Sequence, residues 1–169
     1  MSRGEMDRLL FGPEASQRLG GIGSVRFIVR CPGNAEEILR KGKQVLRTVV
    51  EHLGGPWPSD TEWRRVLPKW FVEACVEDVS NEEAEKWLAW WRKLPPTQQA
   101  KVSAEKAWSL SNWLHWFKEG NRQWEWWDAA VQDADTIQVA AEVKCWPFPW
   151  GALRWLFKAC GATQVDAEE

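Results

Sequence analysis

The feature that most limits how this chain can fold is its aromatic content. It holds fifteen tryptophans and no tyrosine in 169 residues, and six of the tryptophans fall between Trp108 and Trp127. An indole carries a large apolar surface with a single N–H donor, so each ring is either buried or presented to a partner. The functional question is which rings the fold uses for itself.

A chain of this length can bury one substantial core and is of single-domain size. Its 44% hydrophobic and 27% charged content is that of a globular protein. No apolar run approaches the roughly 18 residues needed to cross a bilayer, so no membrane partner is expected. Met1 to Arg8 lead only into Leu9-Leu10-Phe11 before Gly12-Pro13, too little for the apolar segment of a secretory signal, and the expected location is cytoplasmic.

The formal net charge of −2, with 22 basic and 24 acidic residues, gives no electrostatic footprint for duplex nucleic acid. Cys31, Cys75, Cys145 and Cys160 stand far apart without a CxxC pair, and only His52 and His115 are available to join them. That spacing does not describe a zinc site, and reduced, packed thiols are expected. The glycines at 20, 21 and 23 precede a strand, whereas phosphate-cradling loops follow one. No cofactor is expected.

Residues 1–23 lack a sustained period and read as a flexible N-terminal arm. From Ser24 to Arg30 the chain alternates, with Val25, Phe27 and Val29 on one side and Arg26, Ile28 and Arg30 on the other, as in a partly buried strand. Asn34 and the acidic Glu36-Glu37 then open a long amphipathic helix that ends at Gly54-Gly55-Pro56. Ser59-Asp60-Thr61-Glu62 and Ser80-Asn81-Glu82-Glu83 are capping boxes. The second starts a helix with Ala84, Trp87, Leu88, Trp91 and Leu94 along one face, stopped by Pro95-Pro96.

Residues 108–118, 122–131 and 136–144 read as a three-stranded antiparallel meander turned by Gly120-Asn121 and Asp133-Ala134-Asp135, with a helix over 150–159 after it. The expectation is an α+β fold, a single domain over 24–162 with helices packed on the sheet, and an acidic tail over 163–169.

The register of that meander divides its aromatic residues. Leu110, Leu114, Trp116, Trp127, Ala129, Val131, Ile137, Val139, Ala141 and Val143 fall on one apolar side, expected to face the core. The other side carries Trp113, His115, Phe117, Trp124, Trp126, Asp128, Gln138, Ala140, Glu142 and Lys144. A slip of one residue would exchange the two faces. The helix with Trp87 and Trp91, or the loop with Trp146 and Phe148, is the candidate cover for the mixed side.

Three function classes remain open. The favoured one is a noncatalytic protein-binding module, such as a toxin-neutralising immunity protein, an inhibitor or an adaptor. It would contact another protein through Trp113, His115, Phe117, Trp124, Trp126 and Glu142, because large rigid rings beside polar groups make interface anchors. The second class binds sugar or single-stranded nucleic acid by stacking on Trp113, Trp124 and Trp126. The third is a small hydrolase using His115 with Asp128 or Glu142, with Cys145 or Cys31 as possible nucleophiles.

Overall fold

The alternating segments at 24–30 and 136–143 become the two central strands of one sheet. The computed structural model describes residues 2–17 and 23–168. Among them the elements run α1 (Ser2–Phe11), β1 (Gly23–Arg30), α2 (Ala35–Glu51), α3 (Asp60–Val66), α4 (Lys69–Ala74) and α5 (Asn81–Arg92). They continue with α6 (Pro96–Glu105), α7 (Leu110–His115), β2 (Trp124–Asp133), β3 (Thr136–Val143), α8 (Gly151–Ala159) and β4 (Gln164–Ala167). The fold is α+β.

The strands lie in the order β2-β3-β1-β4, each antiparallel to its neighbour, with Phe27 opposite Val139 and Val29 opposite Ile137. The route from β1 through α2 to β2 spans β3, and the route from β3 through α8 to β4 spans β1. Two split β-α-β units are thereby interleaved, and α3 to α7 form one long insertion in the first. Both crossover helices cover the same side of the sheet.

Period-two burial follows at once. Phe27, Val29, Ile137, Val139 and Ala141 are fully buried against Ile38, Val45, Leu46 and Val49 of α2 and Leu153, Leu156 and Phe157 of α8. The other side of the same strands presents Ser24, Arg26, Ile28 and Arg30 of β1 and Thr136, Gln138, Ala140 and Glu142 of β3, none of them buried. The sheet has one covered and one open face.

The local signals act largely as their chemistry requires. Ser59 and Ser80 accept hydrogen bonds from the Glu62 and Glu83 amides and start α3 and α5. Asn34 sits at the cap of α2 without a side-chain bond; the Ala35 amide donates instead to the Ala134 carbonyl in the β2–β3 turn.

Three segments differ from expectation. Part of the supposed flexible arm is α1, which packs against α2 and β2 and buries Leu9; residues 18–22 lie outside the described ones. The supposed acidic tail contributes β4, whose Val165 is buried opposite Val29. The third is 108–118, expected as the first strand of the meander. It forms α7 because Ser109 caps the Asn112 amide at 3.2 Å and Leu110, Trp113, Leu114 and Phe117 recur at i, i+3, i+4 and i+7.

Candidate functional site

The rings singled out by the sequence are placed by one irregularity. β2 pairs Trp124 with Val143 and Trp126 with Ala141, and then the register shifts so that Asp128 meets Ala140 and Ala129 meets Val139. Trp127 is the extra residue of a β-bulge. A bulge reverses the parity of everything beyond it, so Trp124 and Trp126 share the core face with Ala129 and Val131, while Trp127 leaves it.

Trp113, Phe117, Trp124 and Trp126 are accordingly only 0 to 2% exposed. They belong to a continuous aromatic core. Phe71 meets Trp113 at 4.7 Å, Trp113 meets Phe117 at 4.5 Å, Phe117 meets Trp124 at 6.0 Å, and Trp126 lies 6.4 Å from Phe157. The Trp113 indole N–H donates to the Ala152 carbonyl at 2.9 Å and ties α7 to α8. These four rings build the fold and offer no contact surface, which corrects their expected role.

His115 is exposed on α7, its ring edge-on to Trp116 at 5.5 Å. The helix carrying it packs through Trp113 and Phe117 into the covered side of the sheet. Asp128 and Glu142 belong to the open side, paired across strands with Ala140 and Glu125. The expected histidine–carboxylate constellation is therefore not assembled. Cys31 is buried, and desolvation, followed by the charges of Asp135 and Asp133, pushes its thiol up; Cys145 is exposed beside the Gln123 amide oxygen at 3.6 Å.

β2 is an edge strand, and α1 closes its edge with side chains. The Trp126 amide donates to Glu5 Oε1 at 2.8 Å, and Arg8 Nε donates to the Trp126 carbonyl at 2.9 Å. Arg122 donates twice to Glu5 at 2.5 Å, and the Arg8 guanidinium lies 5.0 Å from the Trp127 ring. A glutamate and an arginine thus occupy the backbone groups that a further strand would use.

Two surfaces among the described residues carry indoles beside polar groups. On the open sheet face a groove of about 300 Å3 is lined by Ser24, Arg26, Trp127, Asp128, Gln138 and alanines. The second is an arm made of α5 and α6, helices in which no residue is buried and which pack broadly against no other element. Its internal tie is reciprocal: the Trp91 indole donates to the Gln99 carbonyl and the Gln99 amide donates to the Trp91 carbonyl, both at 3.1 Å. Trp87 stacks on Trp91 at 6.3 Å and 17°, Trp90 lies 6.3 Å from Trp87 and is 49% exposed, and the Lys106 ammonium sits 3.7 Å over Trp87. The helix with Trp87 and Trp91 along one face, which with the Trp146–Phe148 loop was a candidate cover for the mixed side of the sheet, buries none of its residues.

Comparison of the chain with protein-family models, with curated proteins and with solved structures gives no match. Among the described residues no helix is long and apolar enough to cross a membrane, and no three His, Cys, Asp or Glu side chains cluster in a metal-holding arrangement.

Proposed function

We propose that this chain is a noncatalytic protein-binding module that engages another protein through the α5–α6 arm. The observation that carries the reading is the placement of Trp87, Trp90 and Trp91 on a helix that buries none of its residues. Ten other tryptophan and phenylalanine rings among the described residues are buried in the core, so the arm's indoles contribute little to folding. Large rings fixed by stacking and a cation, rimmed by charged residues, are the composition of interface anchors. A toxin-neutralising immunity protein, an inhibitor and an adaptor all fall within this class.

The test is a pull-down from extract of the native cell with the wild-type chain and a Trp87→Ala, Trp90→Ala double variant. A partner retained by the first and lost by the second, with the melting temperature unchanged, supports the arm as the contact. Equal retention of the same partner by the double variant refutes it.

The groove on the open sheet face favours sugar binding as a second reading. It sets one indole beside Arg26, Asp128 and Gln138, a stacking surface next to planar polar groups that donate and accept. Base stacking has less support, because sheets that read single strands use aromatic residues on the central strands, and β1 and β3 present none outward. Saturable binding on a glycan array, lost in Trp127→Ala, would raise this reading above the first.

A further inference from the structure

A small cavity of about 110 Å3 lies where the end of α6, at the edge of the arm, meets one side of α8. It is lined by Ser103, Lys106, Trp108, Arg154, Trp155 and Lys158, with Ala104 and Gly151 completing the wall. Three cationic residues, one hydroxyl and two indoles meet there, and no carboxylate lines it. The volume exceeds that of a single water, whose share of the liquid is about 30 Å3.

The indole of Trp108 reaches the cavity because position 151 is glycine. A Cβ there would stand 2.6 Å from Trp108 Cζ2, nearer than side chains approach, so the ring lies directly against the first turn of α8. Three residues on, the Arg154 guanidinium lies 4.2 Å over the Trp150 ring. Its Nε is shielded from solvent without a hydrogen-bond acceptor, and among the described residues no carboxylate is within ion-pair distance of it. Desolvation pulls its pKa down, and only Asp166 opposes this from farther away. A half-desolvated guanidinium without an anion is an incomplete interaction.

The other two cations differ in what holds them. Lys158 donates to the Thr163 carbonyl at 3.0 Å, so its ammonium is engaged at the end of α8. Among the described residues Lys106 has only the Trp87 ring as partner, leaving its donors available.

We propose that this cavity binds a phosphoryl oxyanion, with Arg154 as its principal donor, Lys106 and the Ser103 hydroxyl as further donors, and Trp108 and Trp155 as walls. The assignment rests on the cavity and its lining, and although Ser103 and Lys106 belong to the arm or touch it, its test reads phosphate binding and not the binding of protein. The indole walls accept a planar group attached to the phosphoryl, so the ligand is either free phosphate or an aromatic phosphate monoester.

The experiment is calorimetric titration of the full chain with inorganic phosphate and with phenyl phosphate, each against sodium chloride of matched ionic strength. Saturable binding of at least one phosphate compound is expected, weakened roughly tenfold or more in Arg154→Ala. Tighter binding of phenyl phosphate assigns the site to the ester, and tighter binding of inorganic phosphate assigns it to the free ion. Lys106→Gln, a change at an exposed side chain, is expected to weaken binding several-fold with the melting temperature unaltered. Failure of both compounds to saturate the wild-type chain, or wild-type affinity in both variants, overturns the proposal.

Discussion

Among the described residues, Glu5 and Arg8 are the buried charged side chains, and both serve the backbone of Trp126. Glu5 is fully buried and accepts from Arg122 as well as from the Trp126 amide, so its carboxylate holds a strand edge and the part-buried Arg122 cation at once. A buried pair of this kind is weak evidence for net stability, but removing one partner strands the other in a low-dielectric site. Glu5→Ala is therefore expected to destabilise the chain by about 3–5 kcal/mol in urea denaturation. Glu5→Gln, which keeps an acceptor for the Trp126 amide, should lose less. Wild-type stability in Glu5→Ala would show that α1 does not hold the edge. Nothing near residue 5 announces this role, because its partners stand 117 and 121 positions away. Local periodicity reports which face of an element is apolar and is silent on such contacts.

At the scale of elements, β2 shows what period and composition can and cannot decide. The alternation of 124–131 is visible in the sequence, as is its pairing with 136–143, and both strands form with the expected turn between them. The bulge at Trp127 has no comparable signal: Trp124, Trp126 and Trp127 put indoles at positions of both parities, and the choice falls to packing against Phe117 and Phe157. The α7 segment is a different case, since Leu110, Trp113, Leu114 and Phe117 carry a helical spacing that competes with the strand preference of aromatic residues. Burial now sets two neighbouring indoles apart. Trp126→Ala is expected to cost about 3–5 kcal/mol, the range for deleting a buried tryptophan. Trp127→Ala, at a partly buried ring outside the core and held by Arg8, should cost under about 1 kcal/mol. Chemical denaturation of the two variants tests the bulge directly, and the reverse order of losses would return the chain to an unbroken register.

For the whole molecule, the distribution of burial divides stability into two levels. The sheet, α2 and α8 share one core, whereas α5 and α6 bury nothing and are tied down at their base by contacts such as the Ser111 hydroxyl to Asp78 at 2.5 Å and the Val76–Ser109 bridge. Hydrogen bonds from Ser111 and Ser109, in that order, hold the Asp78 carboxyl below its usual range. That tie is electrostatic and near the surface, where single interactions contribute little. Local opening free energy tracks buried apolar contact, so the arm should open without the core. Native-state amide exchange at several low urea concentrations is expected to show residues 81–105 exchanging through openings well below the global unfolding free energy. β1, β3 and the middle of α2 should exchange only through global unfolding. Such an arm can adjust to a partner while the sheet stays rigid, which is the dynamic counterpart of the proposed binding role. Protection of 81–105 equal to that of β1 would make the arm part of the cooperative core, and its tryptophans would then be counted with Trp113 and Trp126 as structural.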